Sequence, residues 1–463
     1  MKTDPKTHPT NQTFSVATLG CKVNSADSEA IAADFIAKGY VPAAQDETPD
    51  IIVVNTCTVT HWGDRSSRQA ISRSRKDAPN AVIVATGCYA SIDPSGLAAA
   101  TSADLIIPNT EKDTIAEKVT DYNQPVTSHK ADANTPHSVP MTILPHTAFP
   151  SAENPDILMA RLIGKTRAQI KVQDGCDNRC TYCIVPMARG NSRSRSIEDI
   201  IAFVRRKQEA GIQEIVLTGV HLGDYHTADG ADLGDLLQAL LRETAVPRIR
   251  VSSLEPEDFQ IAWLKIWENP RMCRHLHLPM QSGSNTILRK MARKYLRARY
   301  RDIIQAAYSA IPGLAVTTDI IVGFPSENDE DFAQTYELCQ ELEFAKIHVF
   351  RYSPRNGTAA ARMRGKISSE TMRDRSDALL ALNDTLSEQF RRRFLGAETE
   401  VLWEARRPDG WEGLTDNYIR VFWDETKAAV QGDMRHKITK MRLESLYEDG
   451  IIGVFLDPNV LQY

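Results

Sequence analysis

The arrangement Cys176-x3-Cys180-x2-Cys183 constrains this chain more than any other feature. Three thiolates on so short a loop wrap one corner of a cubane, and a [4Fe–4S] cluster ordinarily takes four cysteine ligands. No fourth cysteine stands nearby; the neighbours in sequence are Cys88 and Cys273. One iron is therefore left open, as an unfilled position is at a catalytic metal. Structural zinc sites favour paired C-x2-C halves with four protein ligands, which this spacing does not offer.

The loop sits in a chain that alternates strand and helix. Over residues 13–120, apolar β-branched runs (Thr13–Leu19, Ile51–Asn55, Ala81–Thr86, Asp104–Ile107) are separated by the helical patterns Ala26–Lys38 and Asp64–Arg75. Such alternation predicts a parallel sheet with helices on both faces. Six prolines between Asp121 and Asp156 mark a linker or an irregular crossing. From about 165 to 370 the alternation resumes. Strands are expected at Ala168–Val172, Glu214–Thr218, Arg248–Ser252, His275–Leu278, Val316–Val322 and Lys346–Tyr352, with helices such as Ile197–Glu209 and Asp329–Leu342 between them. Six β/α units make a partial or complete barrel. After a helix near Ser369–Phe394, short strand-like pieces (Val401–Trp403, Asn417–Phe422, Lys437–Leu443, Ile451–Phe455) predict a small β-barrel.

Read through this fold, three distant cysteines come together. Cys21, Cys57 and Cys88 each follow a predicted parallel strand. All three then lie at the carboxyl edge of one open sheet, where such sheets bind ligands. They are candidates to hold a second cluster, again with one open iron, and Asn24, Asn55 and Thr56 are candidates to hydrogen-bond its sulfurs. Cys273 and Cys339 stand singly in apolar or helical context and read as packing residues.

Net charge is −5, which by itself argues against a polyanion partner. The distribution argues otherwise. Arg161–Arg195 holds eight Lys/Arg against two Asp, Arg289–Arg301 seven basic residues with no acid, and Arg351–Lys366 five with none. Local patches of this kind meet phosphate. The polar N-terminus has no signal-type apolar stretch and no run approaches the ~20 residues needed to span a bilayer. The expectation is a soluble, cytoplasmic protein with no membrane partner.

The central motif resembles the radical S-adenosylmethionine (SAM) signature, and the whole of about 12–460 resembles the radical SAM methylthiotransferase family. The resemblance rests on Leu19-Gly-Cys-Lys-Val-Asn24, Val54-Asn-Thr-Cys-Thr58, Thr86-Gly-Cys-Tyr89 and Asp174-Gly-Cys176 through Cys183. It extends through Arg189-Gly190, Arg193-Ser-Arg195, Leu278-Pro-Met-Gln-Ser-Gly-Ser284 and Tyr352-Ser-Pro-Arg-Asn-Gly-Thr358. It implies a flavodoxin-like N-terminal domain over 12–122 with an auxiliary cluster, a linker over 123–160, a radical SAM partial (β/α)6 barrel over 161–394, and a TRAM domain, an oligonucleotide-binding-like barrel, over 395–463. It also implies SAM contacts. Tyr182 would pack near the adenine, and Gly219 would lie near the methionine group. Ser253 and Glu255 would hydrogen-bond ribose or amino groups, and Gly323 would lie beside the adenine. Asn191 departs from the acid often found between Arg-Gly and Arg-Ser-Arg. A cobalamin-dependent radical SAM methylase would carry Asp-x-His-x-x-Gly, which is absent.

Gly20-Cys-Lys-Val-Asn24 is similar to the MtaB-type branch of the family, which converts N6-threonylcarbamoyladenosine at position 37 of tRNA to its 2-methylthio form. Sister branches act on isopentenyl-adenosine in tRNA or on a ribosomal protein aspartate, and a non-catalytic iron–sulfur RNA sensor is the alternative from another class. The resemblance implies two [4Fe–4S] clusters and two SAM per turnover, one as methyl donor and one cleaved to a radical that takes hydrogen from adenine C2. A tRNA substrate, a reducing electron donor and a sulfur donor are the partners it calls for. Residues 397–463 hold eight Lys/Arg and thirteen Asp/Glu, an odd balance for an RNA-binding module. RNA contact there would fall to aromatics such as Trp403, Trp411, Tyr418 and Trp423, which also suit the core of a small barrel, or to the basic segments of the central barrel.

Overall fold

The computed structural model describes residues 12–44, 46–122, 166–424 and 432–456. The expected linker at 123–160 lies outside the described residues. The described chain divides into two compact units. The first holds residues 12–122 with 174–178 and 183–191; the second holds 166–173, 179–182 and everything described from Ser192 onward.

In the first unit the strand Ile51–Thr56 is buried at every position, as a strand covered on both faces must be. It is β3 of a five-stranded parallel sheet built with β1 (Thr13–Thr18), β2 (Val41–Pro42), β4 (Val82–Gly87) and β5 (Leu105–Ile106). The order is β2-β1-β3-β4-β5, the flavodoxin-like order, whose reversal point falls between β1 and β3. Helices α1 (Lys22–Ala37) and α5 (Ile115–Asp121) cover one face, where Ile31, Phe35, Ile115 and Val119 pack on Phe14, Ile51, Val53 and Val84. Helices α2 (His61–Asp77), α3 (Cys88–Ile92) and α4 (Pro94–Ala100) cover the other, where Ile71, Tyr89 and Leu97 meet Ile52, Val54 and Ile83. The short edge strand β2 was not anticipated; two residues carry no periodicity to read. The short helix α6 (Val185–Arg189) also belongs to this unit.

The second unit opens with six parallel strands: β6 (Arg167–Lys171), β7 (Glu214–Thr218), β8 (Arg248–Val251), β9 (His275–His277), β10 (Ala315–Val322) and β11 (Lys346–Arg351). They pair as two three-stranded sheets, β8-β7-β6 and β9-β10-β11. The bridges Ile249↔Met272 and Ser253↔His277 carry the arc from one to the other. Among the described residues the ladder does not close, so this is a partial barrel. Helices α7 (Ile197–Glu209), α8 (Leu233–Glu243), α9 (Asn285–Lys290), α10 (Arg297–Ala310), α11 (Asp329–Leu342) and α12 (Ser369–Arg392) connect and cover the strands.

Residues after α12 form a closed barrel of five strands, one more than the sequence pattern gave: β12 (Glu398–Arg407), β13 (Gly410–Thr415), β14 (Arg420–Asp424), β15 (Ile438–Tyr447) and β16 (Gly450–Phe455). Its core buries Trp403, Trp411 and Trp423. These three rings are therefore packing residues, which removes them as surface stacking platforms. The barrel seats on the amino ends of the arc's strands. The run Arg-Ile-Arg-Val of β8 is buried throughout, which an arginine strand tolerates only if each charge is answered. Arg248 donates to the carbonyls of Leu414 and Glu400. Arg250 donates to Glu214 at 2.6 Å and lies 4.1 Å over the Tyr418 ring. Tyr418, too, is a structural contact.

Candidate active site

The strand order of the first unit puts Cys21, Cys57 and Cys88 together. Cys21 caps α1 just after β1, Cys57 follows β3 directly, and Cys88 opens α3 directly after β4. The three strands are sheet neighbours, so the cysteines line one carboxyl edge, two of them straddling the reversal point. Glycines make the approach possible. Gly20 sits at φ +95°, and a Cβ there would fall 2.9 Å from Cys57 Sγ; at Gly87, φ +94°, it would fall 2.4 Å from the Thr56 carbonyl oxygen. All three thiols are free. Burial, reinforced by Cys88 and Cys21, pushes Cys57 up to about 11, although a backbone hydrogen bond opposes it. Burial also raises Cys88, against the opposing pull of Arg189. Bound metal reverses such shifts, because a coordinating thiol is deprotonated outright.

Asn24, Asn55 and Thr56 hold the loops around this edge. Asn24 Nδ2 donates to the carbonyls of Leu19 and Thr56, Asn55 Nδ2 to the Asn24 carbonyl and to Ser28, and Thr56 Oγ1 to the Thr86 carbonyl. The donors that reach sulfur are others: Asn109, whose Nδ2 lies 3.7 Å from Cys88 Sγ, and Arg189, which also hydrogen-bonds that thiol. Arg189 is buried. Its Nη1 donates to Asp174 at 2.9 Å and its Nη2 to Asp27 at 3.1 Å. Lys112 Nζ reaches Asp27 at 2.8 Å and Asp174 at 3.1 Å. Two cations and two carboxylates thus balance, and the positive end of Arg189 faces the cysteine edge. In the sequence Arg189 stands only as part of a motif, and nothing local marks Lys112 or Asn109 as functional.

The central cysteines lie on the loop between β6 and α6. Gly175 (φ +75°) admits no side chain, because a Cβ would lie 1.9 Å from the Asn191 carbonyl oxygen. Asn191 thus packs there through its backbone, which lessens the weight of its side-chain departure from the family pattern. Cys176 donates its N–H to the Gly190 carbonyl at 3.0 Å. In the second unit, Arg293 Nη1 lies 3.3 Å from Cys180 Sγ. The same buried guanidinium pairs with Glu255 and, at 3.0 Å, with Glu257. Tyr182 packs on the cluster of Ile287, Met291, Phe324 and Ala360. Gly219 follows β7, backed against Gln173; Ser253 and Glu255 follow β8; Gly323 follows β10 at φ +76° and donates its N–H to Glu327. All four stand at carboxyl ends of the arc's strands, where barrel sites form.

Three of the seven basic residues of the run Arg289–Arg301 are paired with acids. Arg293 is spent on Cys180, Glu255 and Glu257, Arg301 pairs with Glu341, and Arg297 reaches Glu337. Cys273 and Cys339 are buried, as their contexts implied. Among the described residues no helix is long and apolar enough to cross a membrane. The donor chemistry fits anionic iron–sulfur clusters: none of the six cysteines is in a disulfide, and buried Arg189 and Arg293 turn cationic donors toward Cys88 and Cys180.

Comparison with known proteins agrees with this arrangement. Residues 170–339 match the radical SAM superfamily, and residues 13–108 match the family described as uncharacterized protein family UPF0004. Threonylcarbamoyladenosine tRNA methylthiotransferase MtaB of Bacillus subtilis (strain 168) is 36% identical over 443 residues, 93% of this chain and 93% of the relative. The tRNA-2-methylthio-N(6)-dimethylallyladenosine synthase of Bacillus pumilus is 32% identical, covering 96% of this chain and 87% of the relative. The radical SAM methyltransferase TsrM from Kitasatospora setae shares the fold, with a TM-score of 0.54 at 12% identity over 76% of each chain. Identity above 30% along nearly the full length, on a parallel sheet followed by a radical SAM arc, decides the matter: the chain belongs to the radical SAM methylthiotransferase family.

Proposed function

We propose that this enzyme installs a 2-methylthio group on N6-threonylcarbamoyladenosine at position 37 of tRNA, in the cytoplasm, using SAM and two [4Fe–4S] clusters. The observation that carries the reading is the sheet order that brings Cys21, Cys57 and Cys88 to one carboxyl edge, and the Cys176-x3-Cys180-x2-Cys183 spacing supports it. Cys176, Cys180 and Cys183 would hold the SAM-binding cluster, and Cys21, Cys57 and Cys88 the auxiliary one. When bound, the first cluster and SAM supply one-electron cleavage chemistry, which an unreactive adenine C2–H bond requires.

The chain's own residues do the positioning. Arg293 holds a cationic donor against the Cys180 sulfur while Glu255 and Glu257 keep it charged. Arg189 and Asn109 do the same at Cys88. Gly219, Ser253, Glu255, Gly323 and Tyr182 would form the SAM site above the arc. The target base must leave its stack to reach any of them. The domains follow: auxiliary-cluster domain over 12–122, linker over 123–160, radical SAM barrel over 161–394 and TRAM domain over 395–463, with a sulfur donor and an electron donor as further partners.

The Gly20-Cys-Lys-Val-Asn24 motif and the MtaB relative support the threonylcarbamoyl substrate over the dimethylallyl one. The test is mass spectrometry of tRNA nucleosides from cells lacking the gene. Loss of 2-methylthio-N6-threonylcarbamoyladenosine, restored by the gene, is the expected result. Loss of the methylthio-isopentenyl nucleoside, or no change in tRNA, would overturn it.

A further inference from the structure

The inner face of the arc carries a polar trio that none of the roles above uses. On β9, β10 and β11, Leu276, Val316, Ile320 and Ile347 fall on one side of the strands and are buried. Thr318 shares that side, 3.2 Å from the Tyr300 hydroxyl of α10. Strand alternation then turns His277, Asp319 and His348 to the concave face. Their ligating atoms lie within 4.8 Å of one another. His277 Nε2 is 3.3 Å from Asp319 Oδ1, and its Nδ1 is 2.8 Å from Thr317 Oγ1, which fixes the ring. His348 is paired with Asp319 across the ladder, its ring 5.7 Å from that of His277.

One pleat nearer the carboxyl end, Ile321 pairs with Phe350, about 7 Å along the strands. Phe350 is 45% exposed, a large apolar ring left open on the edge strand of its sheet. Ile321 packs into the same cluster as Tyr182. The face therefore steps from an apolar shelf beside the Cys180–Tyr182 turn down to a hydrogen-bonding trio.

We infer that this face reads the N6 substituent of the target adenine: the base stacks on Phe350, and the substituent reaches His348, Asp319 and His277. The inference rests on the adenine substrate proposed above and names the residues that choose among adenines. A threonylcarbamoyl group offers N–H and hydroxyl donors to Asp319, and carbonyl and carboxylate acceptors to the histidines. A dimethylallyl group offers neither, and the half-buried His277 and Asp319 with the exposed His348 would gain none of those hydrogen bonds from it, a mismatch that discriminates between the two.

The test uses the full-length, anaerobically reconstituted enzyme with two anticodon stem-loop RNAs, one bearing N6-threonylcarbamoyladenosine and one bearing N6-dimethylallyladenosine. His348→Phe and Asp319→Asn are compared with the unaltered enzyme by the ratio of kcat/KM for the two RNAs. SAM cleavage and iron content are followed in parallel. We expect the unaltered enzyme to favour the threonylcarbamoyl RNA, and both variants to lower that ratio by about 100-fold or more. Iron content should stay unchanged. Variants that lose activity on both RNAs equally, keeping the ratio, would overturn the inference while leaving the substrate proposal standing. So would loss of one bound divalent metal from His348→Phe with the ratio intact, which would make the trio a metal site. An unaltered enzyme that prefers the dimethylallyl RNA would overturn both readings.

Discussion

Arg189 and Asp27, 162 residues apart in sequence, meet at 3.1 Å with each side chain only 2% exposed. Arg189 of α6 contacts Asp27, Asp174 and Cys88 together. Removing one partner of a buried pair leaves an uncompensated charge. Arg189→Leu should therefore lower the stability of the cluster-free chain by about 3–5 kcal/mol. The urea midpoint measures it. Asp27→Asn at the other end should cost less, because Asp174 remains to Arg189.

Gly87 is a second fixed point. Its φ of +94° disfavours any side chain, and a Cβ would lie 2.4 Å from the Thr56 carbonyl oxygen. Gly87→Ala should cost at least about 1–3 kcal/mol from the backbone alone, with more from the clash. It should also displace Cys88, the next residue. Thermal melts would show the first effect, and reduced iron uptake by the cluster-free protein the second.

Glu214 gives a pH signature. Burial alone would raise its carboxyl, but Arg250, with Arg167 and Arg248 behind it, holds it below the ordinary glutamate value of 4.5. A depressed carboxylate contributes stability that is complete above its unfolded value and is lost as pH falls through its folded one. Glu214→Gln should thus cost about 3–5 kcal/mol at neutral pH. The gap to the unaltered chain should narrow only below pH 4.5, as the unaltered carboxyl takes up its proton. Urea unfolding across that range checks the sign.

Local signals in the sequence placed what local chemistry determines. Helices α7 and α11 fall at the expected residues because Ser196 and Asn328 cap them, the latter in a capping box with Asp331. The parallel strands of the first unit are legible because both faces are apolar. From those strands the convergence of Cys21, Cys57 and Cys88 follows as geometry. What stayed hidden depends on contacts between distant segments. The strand β13, Gly-Trp-Glu-Gly-Leu-Thr, carries two glycines and little β propensity, and only ladder pairing to β12 and β14 makes it a strand. Arg293 looked like one charge in a basic run; its partners Glu255 and Glu257 lie 38 and 36 residues away. Tyr418 looked like an RNA-facing ring and is instead covered by Arg250.

Each trio of cysteines is proposed to hold its own cluster. Iron content and Mössbauer spectra of the anaerobically reconstituted chain test it most directly, beside two variants in which Cys21, Cys57 and Cys88, or Cys176, Cys180 and Cys183, are all alanine. About eight irons per unaltered chain and about four in each variant are expected. SAM cleavage should survive only in the first variant, and methylthio transfer in neither. An unaltered chain that binds only about four irons, or an N-terminal variant that still makes methylthiolated RNA, would contradict it.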